Sequence, residues 1–87
     1  MIFVCLCKWK GKPSKETIAE PNKFMENFKK RGNKILGWYW TLGHYNAVFI
    51  FEAPNEKEAL KFSIDTSEML SVETLVAIPR EEAVKLL

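Results

Sequence analysis

The segment from Lys34 to Phe51 constrains this chain more than any other. It holds two runs of strand-favouring residues, Lys34 to Leu42 and Tyr45 to Phe51, separated by Gly43 and His44. A two-residue gap that begins with glycine reads as the turn of a β-hairpin, so the two strands are neighbours and antiparallel. With Leu42 opposite Tyr45, the two-residue period of a strand sorts the side chains into faces. One face receives Leu36, Trp38, Trp40, Leu42, Tyr45, Ala47, Phe49 and Phe51. The other receives Ile35, Gly37, Tyr39, Thr41, Asn46, Val48, Ile50 and Glu52. An antiparallel sheet with one wet side alternates cleanly between apolar and polar residues. Neither face here is polar enough to meet water, so the sheet has to be covered on both sides.

Eighty-seven residues limit what can do the covering. A chain of this size holds one core, read here as a single domain over residues 1–87, and buries only a modest fraction of its unfolded surface. Residues 2 to 9 are rich in β-branched and aromatic types and form a first strand, which Gly11, Pro13 and Ser14 close with turn chemistry. Lys15 to Lys30 has helical spacing, with Ile18, Ala19, Phe24, Met25 and Phe28 on one stripe and Gly32 in the position of a C-terminal cap. Pro21 divides this stretch into a lead-in turn and a main helix from about residue 22. Pro54 ends the third strand. Asn55 and Glu58 then form a capping pair for a second helix carrying Ala59, Leu60, Phe62 and Ile64, which fades near Thr66 to Ser67. Residues 70 to 78 form a fourth strand, and Pro79 opens an amphipathic tail, Arg80 to Leu87, with Ala83, Val84 and Leu87 on one side.

The order β-α-β-β-α-β defines an α+β, ferredoxin-like fold with a four-stranded antiparallel sheet. Its two helices cover one side of the sheet only. The other side is a larger apolar patch than soluble monomers carry, so the expected partner is a second copy of the chain, as a homodimer or higher assembly. An interface of standard size, about 1,600 Å² in total, is expected. The competing arrangement folds the tail back over the open side of its own sheet.

The stretch Thr41-Leu42-Gly43-His44-Tyr45-Asn46-Ala47-Val48-Phe49-Ile50-Phe51-Glu52-Ala53-Pro54-Asn55 resembles the signature of the GYD domain family, a branch of the dimeric α+β barrel superfamily. The likeness extends from the first strand through Gly37 to Glu73-Thr74-Leu75. The naming motif, Gly-x-Tyr-Asp, is matched at Gly43 and Tyr45, with Asn46 in place of the aspartate. This resemblance implies a ferredoxin-like protomer, two sheets packed into a dimeric barrel, and a family whose biochemical role is largely unassigned. Similar architecture occurs in the ligand-sensing domains of AsnC-type transcription regulators and in cofactor-independent monooxygenases, but fold alone does not settle function.

Tyr39, Thr41 and Asn46 project from one face near the hairpin end, and polar groups on an apolar wall can orient a small ligand. The plainer reading is that their hydrogen bonds satisfy one another. An aspartate at position 46 could act as a general base, whereas an asparagine takes up no proton at physiological pH. His44 is the sole histidine and, with Tyr45, completes the candidate ligand-binding set; an acid–base role would require a partner that its sequence neighbours do not supply. Trp38, Trp40 and Phe49 are candidate interface residues. Lys8, Lys10, Lys12 and Lys15 form a basic loop, read as solvated. Cys5 and Cys7 share one side of a strand. They cannot complete a tetrahedral metal site with a single histidine in the chain, and are read as buried free thiols.

The function classes narrow accordingly. A formal net charge of +2 is too slight to imply a nucleic-acid or anionic-membrane partner, and the hairpin matches an RNA-recognition motif poorly. The first loop lacks the glycine-rich, arginine-bearing cradle of an acylphosphatase. No apolar run approaches the ~20 residues of a membrane helix, and two cysteines without a secretory leader are expected as reduced thiols in the cytoplasm. No metal or cofactor is expected. The leading expectation is a non-enzymatic dimer that binds a small, partly apolar molecule between its sheet and helices or at its interface. The alternatives are a cofactor-independent monooxygenase or isomerase using His44 or Tyr45, and a purely structural assembly module.

Overall fold

The computed structural model describes residues 1–15 and 21–87. In chain order the elements are β1 (Ile2–Trp9), α1 (Pro21–Lys30), β2 (Lys34–Trp40), β3 (Ala47–Glu52), α2 (Glu56–Asp65), β4 (Leu70–Ala77) and α3 (Arg80–Val84). The sequence reading of a lead-in turn carrying Ile18 and Ala19 lies outside the described residues. The four strands form one antiparallel sheet in the order β2-β3-β1-β4, which is the ferredoxin-like arrangement.

Strand register decides which side chains meet the helices. Phe3, Cys5 and Cys7 pair with Phe51, Phe49 and Ala47 on one flank and with Val76, Thr74 and Val72 on the other. This face carries the core. Phe3, Cys5, Cys7, Ala47, Phe49 and Phe51 are all buried there, joined by Phe28 from α1 and by Ala59 and Phe62 from α2. Phe28 is fully buried, and its ring lies 5.0–6.3 Å from those of Phe24, Phe49, Phe51 and Phe62. Such aromatic pairs contribute beyond the area they bury, which suits a domain too small to rely on core volume alone.

The helix ends follow their capping chemistry. Gly32 follows α1 at φ 89°, a left-handed conformation that favours glycine. At the start of α2 the Asn55 side chain accepts a hydrogen bond from the Lys57 backbone N–H at 3.0 Å. The expected pairing of Glu58 with that cap does not form. Its carboxylate instead accepts hydrogen bonds from Arg31 Nε at 2.8 Å and from Asn33 Nδ2 at 2.7 Å, because the loop after α1 brings two stronger donors within reach.

The hairpin departs from the expected two-residue turn. β2 ends at Trp40 and β3 begins at Ala47, so residues 41–46 connect them. Thr41 N–H donates to the Asn46 carbonyl and the Thr41 hydroxyl donates to the Tyr45 carbonyl, which closes a wider loop without changing the register. Leu42 is fully exposed at its tip. A second departure lies further along β2, where the register shifts between Ile35 and Gly37, leaving Leu36 as a bulge. Ile35 therefore faces the helices, opposite Phe51, and packs on the core. A strict two-residue alternation had assigned it to the other face.

That other face carries no helix. Ile2, Val4 and Leu6 pair with Glu52, Ile50 and Val48 and with Ala77, Leu75 and Glu73. Ile2, Val4, Leu6, Val48 and Ile50 are only half-buried, and Leu75 and Tyr39 are exposed. The tail does not fold back over them: α3 has no buried residue, and Val84, Leu86 and Leu87 are exposed.

A candidate ligand cavity between sheet and helices

One end of the sandwich is open between the sheet and the helices. A cavity of about 500 Å³ lies there, floored by Cys7, Ala47 and Phe49, with Trp9, Trp38 and Trp40 along the sheet side. Phe24 and Met25 of α1 and Phe62 of α2 form the opposite wall, and Met69 and Leu70 close one flank. The volume falls in the range of small-molecule sites. Sequence geometry places the tryptophans together. Trp9 continues the Phe3-Cys5-Cys7 face of β1, while Trp38 and Trp40 alternate along β2 beyond the bulge, opposite Phe49 and Ala47. The Trp9 and Trp40 rings meet edge-on at 4.9 Å, and Trp38 meets Phe49 at 5.6 Å. Trp38 is 49% exposed and Trp40 58%, a large apolar area for residues on the core side of a sheet.

Two buried polar groups of this wall, the Thr66 hydroxyl and the Cys7 thiol, are already engaged. The Thr66 hydroxyl donates to the Phe62 carbonyl at 2.8 Å, and the Cys7 thiol points to the Cys5 carbonyl at 3.7 Å. Burial raises the Cys7 thiol to about 11, and the neighbouring Cys5 adds to that rise. Burial likewise raises Cys5, moderated by its contact with the Thr74 hydroxyl. Both thiols are free and remain protonated at neutral pH, so neither is an activated nucleophile. Lys12, Asp65 and Glu68, all exposed, stand at the rim. Among the described residues, the interior thus offers contact area and aromatic faces but no charge.

The candidate residues from sequence fall in three places. Trp38, Trp40 and Phe49 belong to the cavity, with Phe49 buried inside the protomer and the two tryptophans half-open. Thr41 and Asn46 sit in the hairpin connection and act on backbone. Asn46 N–H donates to the Cys7 carbonyl at 2.8 Å, and Asn46 Oδ1 accepts from Trp9 N–H at 3.0 Å, stitching the loop to β1. Tyr39 lies on the open face, its ring over Gly37, where a Cβ would come within 2.7 Å of a ring carbon. His44 and Tyr45 pack edge-on at 4.8 Å. The Tyr45 hydroxyl donates to Glu73 of β4, on the open-face side of the sheet, instead of pointing along the Trp38 and Trp40 face. That hydrogen bond to the Glu73 carboxylate, the largest influence, raises the Tyr45 phenol above its ordinary value. The structure therefore does not bring Tyr39, Thr41 and Asn46 together in one pocket. Phe24, Met25, Met69 and Leu70 are wall residues that sequence reasoning missed. The available signal was the shared parity of Trp9 with Cys5 and Cys7.

No cluster of three or more histidine, cysteine or acidic side chains that could hold a metal occurs among the described residues. No described helix is long and apolar enough to cross a membrane.

A β-α-β-β-α-β chain with one helix-covered face, one bare apolar face and a cavity at the end of the sandwich defines a ferredoxin-like α+β protein. The sequence profile described as the GYD domain matches residues 3–87, and the chain belongs to that family. No curated protein and no solved structure matches it.

Proposed function

We propose that the protein is a dimer whose protomers each hold a small, largely apolar molecule in the cavity between sheet and helices. One observation carries this reading: all three tryptophans of the chain line a single cavity whose walls present no unspent polar atom of Thr66 or Cys7. Aromatic faces around a largely apolar space favour a ring or branched hydrocarbon skeleton, with any polar group directed to the rim near Lys12. The bare face formed by Ile2, Val4, Leu6, Val48, Ile50 and Leu75 supports pairing with a second copy, since a patch of this kind seeks a like surface. The enzymatic alternative has no comparable support, because His44 and Tyr45 stand outside the cavity lining.

Intrinsic fluorescence tests this directly, as every tryptophan reports on the cavity. A ligand from a library of small aromatic and aliphatic molecules should change the emission and raise the melting temperature together. At a hundredfold excess over its Kd it adds about 2.7 kcal/mol, a shift of roughly 10 °C or more in a domain this small. A broad library that moves neither signal would overturn the binding reading. Sedimentation equilibrium tests the pairing: a species near 10.1 kDa at micromolar concentration would overturn it.

A further inference from the structure

We infer that the cavity takes an uncharged aromatic ring, and that Ala47 determines this by leaving a gap in a layer that is otherwise aromatic. This inference rests on the binding reading proposed above and supplies the ligand class for it.

Strand register places the gap. Phe51, Phe49 and Ala47 follow one another along the core face of β3, opposite Phe3, Cys5 and Cys7 of β1. The Phe51 ring lies 5.3 Å from that of Phe3 and 5.4 Å from that of Phe49, so the first two rows across these central strands are filled by rings in mutual contact. The third row carries Ala47 beside Cys7, and neither side chain reaches far from the backbone. Protein interiors are close-packed, and a row of two small side chains fills its layer only if something larger leans over it. The helices do not close that space: the cavity opens on Ala47 and Cys7.

The surroundings of the gap are rings. Phe49 bounds it along the strand, Phe24 and Phe62 from the helices, and Trp9, Trp38 and Trp40 from the sheet. Phe49 and Phe62 stack at 4.9 Å with 24° between their planes, whereas Trp38 meets Phe49 at 66° and Trp9 meets Trp40 at 71°. A flat guest therefore cannot lie parallel to every wall and meets some rings stacked and others edge-on, the two arrangements that aromatic pairs favour. A saturated ring would occupy the same volume without a quadrupole to set against those faces and edges. On the order of 150 Å³ is enough to hold benzene, so a cavity of about 500 Å³ has room for two fused rings. Lys12, Asp65 and Glu68 stand exposed at the rim, and Asp65 is paired with Lys61 at 3.1 Å. A charge carried on the ring itself would find no partner among the described interior residues.

Isothermal titration calorimetry tests the inference with two probes of one carbon framework, naphthol and its saturated counterpart decahydronaphthol, on the full chain and on its Ala47→Val variant. Valine suits a strand and adds two methyl groups over the floor. The full chain should bind naphthol at least tenfold more tightly than decahydronaphthol. In Ala47→Val the naphthol Kd should rise at least tenfold, while the melting temperature without ligand is unchanged or higher because the added methyl groups enter free space. Equal affinity for the two probes, or preference for the saturated one, refutes the aromatic selection, and this comparison requires no variant. An unchanged naphthol Kd in Ala47→Val, or a variant that melts below the parent chain, refutes the part given to Ala47. If neither probe binds while another molecule of the library raises the melting temperature, the inference fails and the binding reading stands. If no molecule of the library binds, both fail.

Discussion

Replacing Glu58 with glutamine removes a charge from a junction that holds the two main helices in register. Glu58 Oε1 accepts from Arg31 Nε at 2.8 Å and from Asn33 Nδ2 at 2.7 Å, and the Glu58 and Arg31 side chains are 16% and 28% exposed. Asn33 also donates to the Phe28 carbonyl at 3.1 Å, so the junction ties the end of α1 to the first turn of α2. Hydrogen bonds to an ionised group contribute about 1.5–3 kcal/mol each, and partial exposure places these at the lower end. Glutamine keeps an acceptor and loses the charge-assisted part, so the expected cost is about 1.5 kcal/mol, or roughly 6–12 °C in melting temperature. Alanine removes both bonds and should cost about 3 kcal/mol. The Arg31 guanidinium and then the Asn33 amide hold the Glu58 carboxyl below its ordinary value of 4.5. A carboxyl depressed in the folded state stabilises fully above that value, and the contribution is lost as pH falls below it. Urea unfolding of the two proteins at one protein concentration should therefore show the full gap at pH 7 and a gap that narrows progressively as the pH is taken below 4.5. Other carboxylates titrate in both proteins and cancel in the difference. A gap that is absent at pH 7, or that persists unchanged in acid, would refute the reasoning.

Trp40→Ala removes a half-exposed ring whose packed partner is Trp9, so it should cost about 1 kcal/mol in stability. It should also weaken any cavity ligand at least tenfold by fluorescence titration. Asn46→Leu leaves Trp9 N–H without its acceptor and should cost about 1–3 kcal/mol in urea unfolding, whereas Asn46→Asp keeps an acceptor there and should be near neutral at pH 7. In Gly37→Ala the new Cβ meets the Tyr39 ring, which is 59% exposed and free to swing outward. Protomer stability should change by less than about 1 kcal/mol, while the displaced ring on the bare face should weaken dimerisation measured by sedimentation.

The elements were legible in sequence because their signals are local. Gly32, Asn55 and Pro79 act on the backbone within a few residues, and helix and strand bounds fall close to where those residues place them. The register from Trp40 to Gly37 was equally readable, because it follows from hairpin symmetry. What escaped depends on long-range competition. The bulge at Leu36 turns Ile35 into the core, and no local residue announces it. Glu58 leaves its expected cap because donors 25 and 27 residues earlier outbid the local N–H. Tyr45 leaves the face its parity assigned because Glu73, 28 residues later, binds its hydroxyl. The cavity's lining was missed for the same reason: its described walls come from six elements and two connections, and only their assembly leaves the gap between them.

The residues that mark the family serve mainly to hold the hairpin in place. Gly43 adopts φ 104°, which lets the connection turn, and Thr41 closes it on Tyr45 and Asn46. Asn46 then binds β1 through Cys7 and Trp9, and Tyr45 spans to β4 through Glu73. Together these bonds fix the hairpin to both inner and outer strands, and an oxygen acceptor at position 46 is all that the Trp9 contact demands, which either asparagine or aspartate supplies. Of the signature stretch, only Ala47 and Phe49 line the cavity, whereas its other aromatic and apolar wall residues, Trp9, Phe24, Met25, Trp38 and Trp40 among them, come from outside that stretch. The motif therefore builds the frame, and the three tryptophans of the cavity stand outside it. Substitutions at Trp38 or Trp40 should accordingly change which molecules bind without changing the fold, whereas substitutions at Gly43 should strain the hairpin whatever the ligand.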